Sequence, residues 1–548
     1  MNCLRKKYNK LLACLFMLTV SACSVDKSPY DAVVSEDLLN TQTGLEAATA
    51  GNYDLLKNIV ADWHILHEFS GDNVSVSGTT TDNLFYTYTY QRLANNSRTT
   101  SFWTNAYKVI VGANKVIEAI DNHADATANG QLLAENYYLR AFIHFQLVNI
   151  FGRPYNQGGD NLGVPIKVDA DAFNNPVRAT VGEVYAQIER DLQTAVDLFD
   201  KEKENVFASK EACWALLSRL YLYEEQYDKA IEYADKVISS GKYGLLETEK
   251  LASYSTIQPE QNPETIFAIK FKPNIDYPDN GWATIGSLYA TILGSGWGEM
   301  YASRSYLESI REFPEDVRNN FIQPVVEDEG VLWAIYVDNA SKYKWQVVTK
   351  SGDDYIYNEN NATVTLDKEA DGHGGFHYFI QTAEGKKRVL IDHQLAVRNG
   401  FPKYYILKCS GQEGQAHLWS PVVSRLAEMY LNRAEAYAKL GNEAKALEDV
   451  NIIRSRAGIP AAGLYTAGNL QGKTIIDIVW EERRLELAYE GNRKVDVFRN
   501  KQPMDRHFPG AHLLGNSPIT EIDYQDKAVI EFIPEAQILL QEGLIQNP

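Results

Sequence analysis

The sequence predicts an all-α protein built from packed helical hairpins, with a loop-rich region of short hairpins set into its middle. Three observations predict it. Apolar residues recur three and four apart across residues 42–62, 102–121, 134–151 and 180–199, the spacing of one helix face. Residues 211–244 fit the tetratricopeptide pattern, in which aromatic and small side chains alternate so that two helices interlock. Residues 427–460 then repeat that register.

The chain opens on a basic stretch, "RKKYNK", followed by the apolar "LLACLFMLTV" and the small residues "SAC". That is the layout of a secretory signal, and the apolar run is too short to span a bilayer. "VSAC", Val20 to Cys23, also matches the bacterial lipobox, in which the Cys23 thiolate accepts a diacylglyceryl group before cleavage. An ordinary signal with a chance cysteine is the alternative. Residues 1–22 are read as a lipoprotein signal and 23–548 as one domain in three parts, about 23–240, about 250–410 and about 411–548. Several acyl chains on Cys23, palmitate among them, supply the multiple anchors that stable membrane attachment needs. Ser24 favours onward transport to the outer membrane, and "SVDKSPYD" is a short polar tether.

The helices follow in order. "FWTNAYKVIVGANKVIEAI" keeps the three-and-four spacing, and "AENYYLRAFIHFQLVNIF" stops at the Gly/Asn-rich "GRPYNQGGDNLG". Thr180 can cap "VGEVYAQIERDLQTAVDLF". In the hairpin over 211–244, Trp214, Leu217, Ser218 and Tyr221 take first-helix positions, while Ala230 and Ala234 let the second helix approach closely. Tyr430, Ala434, Tyr437, Ala446, Val450 and Ile453 hold the corresponding places in 427–460. Residues 250–410 differ: they are rich in Gly, Tyr, Trp and Asn, and segments such as "TIFAIKF" and "YFIQTA" alternate like short strands. The expectation is loops and hairpins laid on a helical scaffold, not a separate regular domain. Long irregular loops on a rigid scaffold usually carry function.

The net charge is −19; residues 1–22 hold four basic and no acidic side chains, so their removal leaves 49 basic against 72 acidic. Such a surface repels nucleic acid and anionic lipid headgroups, and neither is an expected partner. Of the cysteines, Cys3 and Cys14 leave with the signal and Cys23 carries lipid. Cys213 and Cys409 lie in apolar contexts and are expected as buried free thiols.

Catalysis is the question raised by "EERRLELAYEGNRKVDVFRN", residues 481–500. Preceded by "TIIDIV", it continues a helix with Ile475, Ile478, Val479, Leu485 and Ala488 on the apolar face. Arg483, Arg484, Glu486, Glu490 and Arg493 alternate in sign, the pattern of ion pairs that fix a helix against its neighbours. Gly491 ends the helix and "RKVDVFR" leaves as a turn. A general acid needs a carboxyl of raised pKa, and flanking arginines push carboxyl pKa values down. The stretch reads as scaffold, and the chain is expected not to be an enzyme. "HILHE", His64 to Glu68, has the wrong order for a zinc helix, and His373 and His377 show no third ligand, so no metal is expected. No GxSxG, P-loop or dinucleotide fingerprint points to a cofactor.

Aromatic side chains are the remaining signal. "NLFYTYTYQRL" sets out Tyr86 and Tyr88, and "GWATIGSLYATILGSGWGEMY" places Trp282, Trp297 and Tyr301 among glycines. Flat side chains raised by glycine turns suit the apolar face of a sugar ring, while nearby Asn, Asp and Arg groups can bridge its hydroxyls. Core packing is the alternative for any single ring.

These pieces together resemble one family. A lipobox, "YYLRAFIHFQLVNIFGRPY", "RLAEMYLNRAEAYAKLGNEAKALEDVNIIRSRAG", "EERRLELAYEGNRKVDVFR" and a closing "FIPEAQ…LIQNP" occur in the order found in the SusD/RagB family of nutrient-binding outer-membrane lipoproteins. The resemblance implies a SusD-like fold of four tetratricopeptide-type hairpins, a SusC-like TonB-dependent transporter as partner, and no catalysis. It also implies a ligand face built from residues about 70–100 and about 280–345, where the aromatics stand, and a structural role for Trp103. The expected function is surface capture of an oligosaccharide for delivery to that transporter. Trp297 and Trp282 would stack on sugar rings beside Tyr301, Tyr86 and Tyr88, with Asp72, Asn73 and Arg304 as polar clamps. A peptide- or protein-binding adaptor of the transporter, without glycan binding, is the alternative.

Overall fold

A computed structural model describes residues 36–78, 80–123, 128–514 and 517–548; the signal segment 1–22 and Cys23 lie outside the described residues. The first long helix, α1 (Gln42–His64), starts where the Thr41 hydroxyl accepts the Gly44 N–H. It packs on α2 (Ser97–His123), which packs on α3 (Gly130–Phe151). Nearly all of α3 is buried, polar as well as apolar side chains, so it forms the central rod of the largest core. Thr180 caps α4 (Val181–Leu198) as expected, with Glu183 returning a bond to the Thr180 N–H to complete a capping box.

Two helix pairs occupy the places read from the sequence. α5 (Lys210–Tyr223) packs on α6 (Tyr227–Ser239), and α7 (Leu426–Lys439) on α8 (Glu443–Arg456). Ala230 and Ala234 are fully buried, which lets the Ser218 hydroxyl reach the Ala230 carbonyl at 3.0 Å. α6 also packs on α7, joining the pairs across the intervening residues 240–425, and α7 packs on α9 (Ile475–Glu486). Cys213 and Cys409 are buried free thiols.

Two expectations need correction. "RKVDVFR" is not a turn: after α9 ends at Glu486 and Gly491 turns the chain at φ +74°, Arg493–Arg499 forms a further helix, α10. More importantly, the chain is not all-α. Two short strands, β1 (Val74–Val76) and β2 (Met300–Ala302), pair with each other, and the middle then builds a regular antiparallel sheet. Its strands are β3 (Val326–Val337), β4 (Tyr343–Ser351), β5 (Asp354–Glu359), β6 (Ala362–Thr365), β7 (Asp367–Ala370), β8 (Phe376–Thr382) and β9 (Gly385–Leu395), in the order β6-β5-β4-β3-β9-β8-β7. Asn360 and Asn361 both take positive φ, 49° and 62°, the two-residue turn whose twist matches a hairpin. One face of the sheet encloses Ala334, Val348, Tyr357, Leu366, Ile380 and Val389; the other lays Trp333, Ile335, Tyr343 and Leu390 against the scaffold. The centres of β3 and β9 are covered on both faces, which there blurs the polar–apolar alternation by which a strand is recognised, while β6 and β7 stay largely exposed.

The scaffold is tied together by buried ion pairs. Glu486 accepts bonds from Arg425 (2.5 Å), Arg456 (2.6 Å) and Arg318 (3.1 Å). Glu482 accepts from Arg318 (2.7 Å) and Arg454 (3.0 Å), and Glu490 from Lys408 (2.5 Å) and Arg425 (2.8 Å). Arg499 forks onto Glu435 at 2.6 and 2.7 Å. Burial alone would raise the Glu486 carboxyl, but Arg456, Arg425, Arg318 and Lys408 hold it well below the ordinary carboxylate value. Glu490, Glu435 and Asp496 are lowered in the same way, by arginines that outweigh their burial.

Removing one member strands its partners as buried charges, which costs about 3–5 kcal/mol. Glu486→Ala is therefore expected to lower unfolding free energy by about that amount in urea titrations; a loss under about 1 kcal/mol would contradict the assignment. The lowered carboxyls bind fewer protons in the folded chain than in the unfolded one, so they stabilise above the ordinary carboxylate pKa and lose that contribution as pH falls. The urea midpoint should drop from about pH 5 to about pH 3, less steeply in Glu486→Gln.

Candidate ligand-binding face

The two tryptophans singled out from the sequence meet. Ser287, in the short helix Ile285–Tyr289, donates its hydroxyl to the carbonyls of Trp282 (2.7 Å) and Thr284 (2.8 Å). Its own carbonyl accepts the N–H groups of Trp297 (2.7 Å) and Gly298 (2.9 Å). The Trp297 indole N–H donates to the Trp282 carbonyl at 3.2 Å, and the rings stand edge to face with centroids 5.0 Å apart. Trp297 is 53% exposed and Trp282 half-buried, so the pair is held from below and open above. Gly296 is required here: at φ +99° its Cβ would lie 2.3 Å from the Ala290 carbonyl oxygen and 2.5 Å from His417 Nε2. His417 Nε2–H instead donates to the Ser295 carbonyl at 2.9 Å, and burial lowers its pKa, keeping the ring neutral.

The tip of this loop is strained. Ile292 and Ser295 exchange backbone bonds of 2.8 and 3.0 Å around Leu293 and Gly294, both at positive φ. A leucine at φ +52° costs on the order of 1–2 kcal/mol, and this one is 95% exposed.

Behind the loop, β2 pairs with β1, and the Ser303 N–H and hydroxyl reach the carbonyls of Asn73 (2.9 Å) and Asp72 (2.6 Å). The side chains of Asp72 and Asn73 are occupied from the other side. Arg493 forks onto Asp72 at 2.7 and 2.8 Å, and Arg484 donates to Asn73 Oδ1 at 2.9 Å. Burial would raise the Asp72 carboxyl; Arg484 and Arg493 hold it below the ordinary value instead. Glu68 fastens the same corner, accepting from the Tyr489 and Gly491 N–H groups at 3.1 Å each and from Asn73 at 3.2 Å. Burial raises Glu68 to about 7, but the residue is sealed from solvent.

The other predicted residues separate. Tyr301 is buried against Tyr405, and Tyr88 is buried with its ring stacked on His512. Tyr86 is half-buried on the short helix Leu84–Tyr88, beside Phe85. Arg304 is buried, donating to the carbonyls of Ile335 (2.8 Å) and Arg388 (2.9 Å) and to Glu308, so it docks the seven-stranded sheet on the scaffold. It also lines a polar cleft of about 630 Å³ with Glu308, Glu312, His377 and Lys387. Asp72, Asn73 and Arg304 are thus engaged by the frame, and Trp103 is buried in the core. Among the described residues no three His, Cys, Asp or Glu side chains gather as a metal would need.

One supporting residue escaped sequence reading. Arg398 donates to the Trp297 carbonyl at 2.9 Å and to Glu299 at 2.8 Å, from a hairpin 101 residues away. No local spacing connects these positions.

Comparison with known proteins places this geometry in context. Residues 25–222 match a family profile described as starch-binding associating with outer membrane, and residues 397–548 match that of the SusD family. The chain is 25% identical over 514 residues to a SusD-like protein of Formosa agariphila, covering 90% of this chain and 91% of the relative. It is 24% identical over 392 residues to the starch-binding protein SusD of Bacteroides thetaiotaomicron, covering 67% and 63%. A SusD superfamily protein of B. thetaiotaomicron superposes with a TM-score of 0.72 at 23% identity, over 92% of this chain and 99% of that one. One of Bacteroides vulgatus gives 0.68 at 25%, over 92% and 98%.

Gly296→Ala is expected to break the tryptophan pair while the helices persist: the near-ultraviolet circular dichroism of the indoles changes and the far-ultraviolet spectrum does not. Unaltered near-ultraviolet bands would show that the turn does not hold the pair.

Proposed function

The chain belongs to the SusD/RagB family, and from that premise we propose that it binds oligosaccharide at the outer membrane through the Trp282–Trp297 pair. The observation that carries this reading is an edge-to-face indole pair, buttressed from Ser287, Arg398 and β2, with one ring half in solvent. A pre-positioned indole loses little side-chain entropy on binding, and its flat face matches the C–H face of a pyranose ring. Tyr86 is the third residue that remains open enough to contribute; Tyr301, Tyr88, Asp72, Asn73 and Arg304 act behind the face.

In this reading the protein grips and releases a glycan without breaking bonds. Supporting it, the carboxylates of Glu486, Glu490 and Asp496 face arginines that hold them ionised, and an ionised carboxylate cannot serve as a general acid. Cys23 is the proposed lipid anchor, at the cell surface, and a SusC-like TonB-dependent transporter the proposed recipient of the cargo; both follow from the lipobox and the family. A second reading, an adaptor that binds protein or peptide alone, is favoured by the apolar Leu539 and Leu540, which are largely exposed near the C-terminus.

Affinity electrophoresis of the mature chain through gels containing amylopectin, xylan, laminarin, pectin or alginate separates the two. At least one polysaccharide should retard the wild type, and Trp297→Ala should weaken that retardation about tenfold or more. Retardation by none of a broad panel would favour the adaptor.

A further inference from the structure

The seven-stranded sheet carries a second aromatic platform. Trp333 on β3 and Trp345 on β4 lie with ring centroids 4.7 Å apart and planes 10° from parallel. The strand register sets Trp333 opposite Val347 and Ile335 opposite Trp345, so the two indoles are diagonal neighbours on one face. Trp333 and Ile335 are buried in the contact with the scaffold, whereas Trp345 is 36% and Val347 53% exposed. The inner indole therefore fixes the plane of the outer one, at the rim where the scaffold stops covering the sheet. Paired strands hold such a ring more precisely than a loop does.

This platform is joined to the first. In the hairpin Val397–Arg398 with Phe401–Pro402, Arg398 and Phe401 sit directly opposite each other and project to the same side. Arg398 is the residue that holds the Trp297 carbonyl, and Phe401 packs against Tyr343 at 5.7 Å. Tyr343 and Trp345 are two residues apart on β4 and share a face. One hairpin thus holds the Trp297 loop and packs against β4 two residues from Trp345.

Resting on the glycan-binding reading above, we propose that Trp345, backed by Trp333, is a second sugar-stacking site of the same face. Its ligand is then a glycan chain long enough to lie across the 397–402 hairpin from Trp297 to Trp345. The chemistry favours a sugar over a protein partner. The exposed surface here is a flat ring with Val347 beside it, a narrow strip and not the broad apolar patch of a protein interface. Continuity with the Trp297 loop through Arg398 and Phe401 makes it part of one track.

The test is calorimetry of the full mature chain with the polysaccharide retained in the gels above, supplied as its trisaccharide and its octasaccharide. Trp345→Ala should weaken octasaccharide binding about tenfold and leave trisaccharide binding unchanged, while Trp345→Phe keeps most of the affinity for the long chain. Wild-type octasaccharide affinity in Trp345→Ala overturns the proposal and leaves the Trp297 site standing. Equal losses for both lengths overturn it too, as does loss of a co-purifying protein with glycan binding intact, which would make the Trp345 surface a protein-docking site. A wild type that binds no glycan at all removes the underlying reading, and the second site with it.

Discussion

The structure depends on a set of carboxylates that have been taken out of water and given back their solvation by arginine. Glu482, Glu486 and Glu490 lie along and just past one helix, α9, yet their partners come from four separate parts of the chain: Arg318, Lys408, Arg425, and the Arg454–Arg456 end of α8. Isolated, each buried charge would cost several kcal/mol; paired and multiply hydrogen-bonded, the cluster is satisfied only when all those segments are in place. Such a network contributes less to net stability than to uniqueness. It allows one arrangement of the helix pairs and penalises the others.

That same stretch of chain reaches the loop that carries the tryptophan pair. Arg484 and Arg493, interleaved with the cluster's carboxylates, hold Asn73 and Asp72; these hold Ser303; and β1 with β2 then sets the base of the loop that carries Trp297. Glu68 closes the corner by taking up the N–H groups that the turn after α9 leaves free. The charges that resembled a catalytic constellation therefore do positional work at one remove. Rigid backing matters for a binder of polyhydroxyl ligands, because a ring already in place spends little entropy when a sugar arrives.

Much of this was legible in the sequence, and the failures have physical causes. The helix pairs over 211–244 and 427–460 were readable because a close helix crossing demands small residues at fixed offsets, and Ala230, Ala234, Ala434 and Ala446 supply them. The scaffold role of 481–500 was readable from alternating charge alone. The sheet was legible only in part: "YFIQTA" alternates like a strand and falls largely in β8, whereas β3 and β9 are buried on both faces at their centres and alternate poorly there; the Asn360–Asn361 turn is a further local signal. Asp72, Asn73 and Arg304 read as clamps since polar residues beside aromatics look like a site. Only tertiary structure shows that arginines and carbonyls more than thirty residues away already use them. Arg398 and the Trp333–Trp345 stack were invisible for the complementary reason: what makes them matter is a partner supplied by another strand or a distant loop.

The central claim is that a charge-locked frame presents the Trp282–Trp297 pair to a glycan. Fluorine NMR of the chain labelled with 5-fluorotryptophan reads this directly, each indole assigned by single substitution. Adding a retained polysaccharide should shift and broaden the resonances of Trp282 and Trp297 while those of the buried Trp63 and Trp103 stay fixed. Movement of Trp63 and Trp103, or no movement at the pair, would contradict the account.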